Sequence, residues 1–240
     1  MAPTVLFIHN EHLATEAMLG DAFTDCGFDV ETFAVVPAEH VEEPAIEVTF
    51  PDPARYDVIV PLGARWPVYD EALRETWVGA EMQMLRDTAD AGVPTLGVCF
   101  GGQLIAQTFG GSVARSDVPE IGWYDVSTDD PDLIPGGKWF QWHFDRWTVP
   151  PGAIEIARTA NSSQAFLLDK ALALQFHPEL DGPLLEGWLA VDRDGDVESM
   201  GLTNDELRLA TERLQAGAAE RIRKLVRSFN DRVVRQPCPS

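Results

Sequence analysis

Two hydropathy rhythms alternate along the first 110 residues of the chain. Solid apolar runs at Thr4 to His9, Tyr56 to Leu62 and Val93 to Val98 read as buried strands, and Phe28 to Phe33 alternates as a further strand. Between them, Glu11 to Cys26 places Leu13, Ala17, Met18 and Phe23 at roughly helical spacing, with Gly27 as the C-cap. Trp77 to Ala91 predicts a second helix with Met84, Leu85 and Thr88 facing inward, ended by Gly92. Leu104 to Phe109 predicts a third, closed by Gly110-Gly111, and the Pro- and Glu-rich stretch Pro37 to Pro53 reads as a loop. Strands alternating with helices predict an α/β fold: a mainly parallel open sheet flanked by helices.

From Ser112 to Leu174 the texture changes. Short segments holding Trp123, Tyr124, Val126, Trp139, Phe140, Trp142 and Trp147 are separated by Asp, Pro and Gly. They predict a small antiparallel region at one edge, continued by strands at 154–157, 165–168 and 171–176. The aromatic cluster reads first as core and edge packing, with a partner face as the other use. After Pro183 the pattern is helical, and Asp205 to Val234 predicts a long amphipathic helix or helix pair before a frayed tail from Arg235. With no repeat, linker or low-complexity tract, residues 1–240 are read as one domain, its core at about 4–190 and a helical extension at about 183–235.

Composition narrows the function classes. The 39 acidic and 18 basic side chains give a formal charge of -21, which disfavours nucleic-acid backbones and anionic membranes as partners. The first residues lack a charged n-region, and Val5 to Ile8 is too short for a signal or membrane segment. Three cysteines, Cys26, Cys99 and Cys238, show neither paired nor metal-ligand spacing, so a reducing, cytoplasmic setting is expected. His9 and His12 have no further ligands nearby, and no metal or cofactor is expected.

The candidate chemistry centres on Gly97-Val98-Cys99-Phe100-Gly101-Gly102-Gln103. A cysteine between a strand and a helix sits at a helix N-terminus, where unpaired N–H groups and the macrodipole favour the thiolate. Glycines around it remove side chains that would collide as the chain turns back. Gly-x-Cys-x-Gly is the thiol counterpart of the serine nucleophile elbow, although a buried Cys can equally be apolar filler. About 80 residues on, Gln175-Phe176-His177-Pro178-Glu179 offers an imidazole and a carboxylate to orient it.

Together these segments resemble the class I glutamine amidotransferases, in particular the stand-alone branch similar to the amidotransferase domain of GMP synthase. Leu62 to Asp70, Glu120-Ile121-Gly122-Trp123, Trp142-His143-Phe144-Asp145 and Ser163 to Phe166 resemble further segments of that family, so the likeness spans roughly residues 4–190. The resemblance implies a flavodoxin-like three-layer fold and a Cys-His-Glu triad. Cys99 is implied as the nucleophile that forms a γ-glutamyl thioester, His177 as base and acid, and Glu179 as its orienter. Backbone N–H groups of Phe100 and of the Gly63-Ala64 turn are implied as the oxyanion hole, and Gln103 as a substrate-binding residue. Ala64 and Arg65 stand where the family has Gly and Pro, and Ala reaches positive φ less cheaply, so a surprise is expected at this turn. Gly102 stands where the family often has His, a departure expected to matter less. His143 reads as structural or as a rim residue.

Two enzymatic outcomes use this triad: release of ammonia from glutamine for a separate acceptor synthase subunit, or free-standing hydrolysis of γ-glutamyl amides or peptides. A catalytically silent binding protein on the same fold is a third reading, and a chaperone- or protease-like cysteine-elbow protein a fourth.

Overall fold

The computed structural model describes residues 2–192 and 195–235. The strands are β1 (Thr4–Glu11), β2 (Asp29–Val36), β3 (Val58–Pro61), β4 (Thr95–Val98), β5 (Ser112–Thr128), β6 (Gly137–Thr148), β7 (Ile154–Arg158), β8 (Ser163–Leu168) and β9 (Ala171–Leu174). Among the described residues they form one sheet in the order β2-β1-β3-β4-β9-β8-β7-β5-β6. The β2-β1-β3-β4-β9 half is parallel, and every pairing from β9 to β6 is antiparallel. The fold is therefore the α/β arrangement expected, with an antiparallel part that is larger than a small edge. Each central strand is solid with apolar residues because both of its faces are covered.

The helices are α1 (Ala17–Asp25), α2 (Glu71–Arg74), α3 (Trp77–Asp90), α4 (Phe100–Thr108), α5 (Gly182–Val191), α6 (Asp196–Ser199) and α7 (Asn204–Phe229). One apolar cluster joins Phe7, Phe23, Val60, Leu174 and Phe176 to Ile222, Leu225 and Phe229 of α7. Another packs Ile8, Ile59, Trp77, Leu85, Phe100 and Leu104 on the other side. The long C-terminal pattern is one helix rather than a pair, continued by a wider turn over Asn230–Val234. Its start is fixed by a capping box: Thr203 accepts from the Glu206 N–H while Glu206 accepts from the Thr203 N–H. The tail beyond Arg235, with Cys238, lies outside the described residues.

Two boundaries differ from the periodicity in ways that shape the site. α1 begins at Ala17 rather than Glu11, because β1 runs on through Asn10 and Glu11. Residues 12–16 turn back, and the Met18 N–H donates to the Glu179 carbonyl oxygen at 3.3 Å. α4 begins at Phe100 rather than Leu104, directly after Cys99.

Cys99 has φ 51° and ψ -107°, a backbone state that non-glycine residues rarely occupy. The glycines around it make this packing possible. A Cβ on Gly101 would lie 2.0 Å from the Pro61 carbonyl oxygen, and one on Gly97 2.7 Å from that of Gly101. A Cβ on Gly102 would lie 2.8 Å from the Leu174 carbonyl oxygen, so this position is closed by the backbone of β9. The elbow is wedged between the ends of β3 and β9. By contrast, a Cβ on Gly187 of α5 meets nothing within 4 Å.

Gly101→Ala should therefore lose about 1–3 kcal/mol or more, since backbone must move to admit one methyl. Gly187→Ala should gain about 0.5–1 kcal/mol from helix propensity. Urea denaturation of both variants measures the contrast, and equal effects would contradict this packing of the elbow.

Candidate functional site

The ends of β3, β4 and β9 bring three parts of the sequence to one place. Cys99 follows β4, and its N–H donates to the Leu174 carbonyl oxygen at 2.7 Å. Three residues past β9, the His177 N–H donates to the carbonyl oxygen of Phe140 at 2.8 Å, which anchors the segment Gln175 to Glu179 across β6. Gly63 lies between the two side chains: a Cβ there would sit 3.1 Å from His177 Cε1 and 3.8 Å from Cys99 Cβ. Any larger residue at 63 would thus press on the imidazole.

The His177 ring is held on two sides. Its Nδ1 lies 2.7 Å from Glu179 Oε1, and the Trp188 indole packs edge-on at 4.8 Å between centroids. Nε2 is buried with no hydrogen-bond partner among the described residues, leaving it for a reacting group. Burial acts to lower the His177 pKa, but the Glu179 carboxylate and Cys99 outweigh it and push it up to about 10. Cys99, His177 and Glu179 are all buried. The Cys99 thiol lies 3.9 Å from the Trp142 carbonyl oxygen and 3.7 Å from Gln175 Nε2.

The remaining candidates fall as follows. Phe100 is the first residue of α4, where helix geometry leaves an N–H without an intrahelical acceptor. Ala64 has no positive φ, so the turn does not ask of it what only glycine gives cheaply, and the expected surprise there does not lie in its backbone. Arg65 pairs with Glu11, Nε to Oε2 at 2.5 Å, and both line the cleft. Gln103 lines the cleft, but its Nε2 points at the Asp145 carbonyl oxygen and Gln175 Oε1, at 3.5 and 3.4 Å. The structure thus gives Gln103 a bracing position beside the substrate-facing one expected.

These groups floor a cleft of about 560 Å³ whose walls include Trp66, Tyr69, Arg115, Trp142, Phe144, Asp145 and Trp188. The Arg115 guanidinium lies 4.4 Å from the Phe144 ring centroid. The Tyr69 hydroxyl donates to Asp145 Oδ1 at 3.1 Å, and burial raises the Asp145 pKa. Sequence reasoning assigned no role to Arg115 or Trp188, because neither belongs to a short motif; β5 and α5 bring them to the cleft only in the folded chain.

His143 lines the cleft while the protein holds both of its ring nitrogens. Its Nδ1 lies 2.9 Å from the Asp145 carbonyl oxygen and its Nε2 3.0 Å from Glu120 Oε2, and His143 and Glu120 are both buried. Glu120 also accepts from Asn161, Ser162 and Gln164. Burial opposes its ionisation, yet His143, Thr159 and Ser162 hold its pKa below the usual carboxylate value. The network ties β5, β6 and β8 together behind the cleft wall.

His9 Nε2 lies 2.9 Å from Glu16 Oε2, and burial lowers its pKa. Cys99 is the free cysteine of the described residues, and Cys26, buried at the end of α1, is not free. The reading of unpaired cysteines does not hold for Cys26, so cysteine usage no longer argues for a reducing compartment. Among the described residues no helix is long and apolar enough to cross a membrane.

The arrangement is similar to known proteins. A glutamine amidotransferase from Thermotoga maritima superposes with a TM-score of 0.81 at 24% identity, covering 95% of this chain and 98% of that one. A glutamine amidotransferase from Methylobacillus flagellatus gives 0.82 at 19% identity, covering 96% and 95%. At these identities the likeness establishes the shared fold. Glutamine-hydrolysing GMP synthase of Aeropyrum pernix is 34% identical over 113 residues, 42% of this chain and 22% of that enzyme. The same enzyme of Trichormus variabilis is 41% identical over 98 residues, 37% of this chain and 18% of that enzyme. The matched stretch thus spans about a fifth of either relative. Residues 56–184, just over half of the chain, match the sequence profile of the family described as glutamine amidotransferase class-I, and the chain belongs to that family.

Proposed function

We propose that this chain hydrolyses the side-chain amide of glutamine through a thioester on Cys99. The observation that carries the reading is the meeting of Cys99, His177 and Glu179 around Gly63 at the floor of one cleft. The Glu179 carboxylate helps push the His177 pKa up to about 10, which makes the ring a strong acceptor for the thiol proton as the sulfur attacks. The sulfur attacks the amide carbon, and the developing oxyanion is met by the N–H groups of Phe100 and the Gly63-Ala64 turn. His177 then gives its proton to the departing ammonia and leaves a γ-glutamyl thioester. In the second half, His177 takes a proton from water, the hydroxide displaces the sulfur, and glutamate is released. Glu179 fixes the ring's tautomer and stabilises its charge throughout. No cofactor enters either half.

The relatives' name, glutamine-hydrolysing GMP synthase, suggests where the ammonia would go. We place a separate acceptor synthase subunit as partner, one amidotransferase domain over the chain, and the reaction in the cytoplasm. A second reading has a specific observation in its favour. A cleft of about 560 Å³ is in the range of sites for ligands well above amino-acid size, and its aromatic walls suit a γ-glutamyl amide or peptide. The catalytically silent reading has against it the complete set of chemical groups.

Cys99→Ala should abolish ammonia release from glutamine, and His177→Ala should lower kcat by about 10²–10⁴-fold. Glu179→Gln removes the group that does most to raise the His177 pKa, so NMR titration of the ring should move from about 10 in the native protein to lower pH. The sign for stability follows. A folded pKa above the unfolded value of 6.5 contributes stability that is full below pH 6.5 and lost as pH rises toward 10. An unmoved titration in Glu179→Gln would contradict the pairing.

Turnover of the isolated protein separates the two enzymatic readings. Efficient cleavage of γ-glutamyl amines without a partner supports the free-standing hydrolase. Weak cleavage of glutamine alone, rising when an acceptor synthase is added, supports the ammonia-supplying subunit.

A further inference from the structure

Behind the Gly63 turn lies a fully buried carboxyl group that the triad does not use. Glu81, on α3, is 0% exposed, and both of its carboxyl oxygens lack a donor among the described residues. The polar side chain beside it is that of Asn10, the penultimate residue of β1, also 0% exposed, whose contact acts to lower the Glu81 pKa against the larger effect of burial, which raises it. Asn10 Nδ2 donates to the Leu62 carbonyl oxygen at 3.0 Å, one residue before Gly63. A carbonyl can only accept, so this bond fixes the orientation of the Asn10 amide. Its Oδ1 is then a third buried acceptor without a donor. Three acceptors without a donor in one buried cluster leave the loss of their hydration unrepaid. One proton changes that count.

We propose that Glu81 is kept as the neutral carboxylic acid and donates to Asn10 Oδ1, so that the line Glu81–Asn10–Leu62 holds the turn that presents the Gly63-Ala64 N–H groups to the reacting amide. Glu81 is a positioning residue on this account. The inference rests on the oxyanion role given to that turn above. Burial supplies the chemical reason for the neutral form, raising the Glu81 pKa to about 8.

No counter-charge competes. β3, β4 and α4 contain no charged residue, and the charged residues of α2 are exposed. On β1, His9 and Glu11 face Glu16 and Arg65 respectively. On α3 itself, Arg86 and Asp87 both bond to Gln83 at the surface. Past β9, His177 and Glu179 pair with each other, Cys99 faces the cleft, and Arg55, on the turn packed against α3, and Asp90, at the end of α3, are exposed.

Glu81→Gln tests the idea because its amide N–H can donate to Asn10 Oδ1 and cannot ionise. The unfolded chain ionises Glu81 near pH 4.5 while the folded protein keeps its proton to about pH 8. Stability of the native protein therefore falls across that window and levels off above it. The Tm of Glu81→Gln relative to native protein should rise between pH 5 and pH 8 and stay constant beyond. This readout needs no enzymatic activity, so it survives failure of the glutaminase reading.

In glutamine hydrolysis, Glu81→Gln should keep the native kcat at pH 7 and also keep it above pH 8, where the native protein declines. Glu81→Ala should lose roughly tenfold or more in kcat with KM little changed, as a weakened oxyanion donor predicts. A Tm difference that does not widen from pH 5 to pH 8 would overturn the neutral acid. It would mean that an ionised Glu81 instead accepts from Asn10 Nδ2. A full native kcat in a folded Glu81→Ala would overturn the positioning role.

Discussion

The left-handed backbone at Cys99 is the constraint from which the rest of the site follows. At φ 51° the residue turns β4 into α4 within one peptide, and the sulfur is left at the sheet's edge beside a helix N-terminus. Such strain persists only where surroundings over-determine it. Here they do so through contact: Gly101 lies against Pro61 and Gly102 against Leu174, with no room for a methyl group at either. The same wedge brings the ends of β3 and β9 to the cysteine. β3 delivers Gly63, and β9 delivers His177 and Glu179. One conformation thus brings Cys99, the His177 imidazole and the turn opposite to one place.

Around that centre, polar groups are buried in lines rather than singly. Glu179–His177 runs toward the sulfur, Glu120–His143 braces the cleft wall, and Glu81–Asn10–Leu62 runs toward the turn. Buried polar groups are costly when unmatched and rigid when satisfied. A site that must hold its donors still while charge develops benefits from that rigidity. The tuning differs in each line: a histidine pushed up by its carboxylate, a glutamate held ionised by its donors, and a glutamate pushed up by burial.

The parallel half of the sheet and the segments that bring Cys99, His177 and Glu179 to one cleft were legible because their signals are local. A buried strand is a short apolar run, and the elbow is a pattern of a few residues. The start of α1 was not legible, because a tertiary bond from Met18 to Glu179 sets it while the apolar spacing begins earlier. The tight space at Gly102 was not legible, because nothing in its own segment says that the backbone of β9 passes 2.8 Å from where its Cβ would be. Ala64 was overrated, since its turn uses ordinary φ. Arg115 and Trp188 reach the cleft from elements far apart in sequence, and no spacing rule connects them to Cys99.

The central claim is that Cys99 is a nucleophile aimed at a γ-glutamyl carbonyl analogue. Treatment with diazo-oxo-norleucine, a glutamine-like electrophile, followed by peptide mapping, tests it most directly. The account predicts one covalent adduct, on Cys99, whose formation is slowed by glutamine and lost in His177→Ala. A protein that stays unlabelled at Cys99 while remaining folded would contradict it.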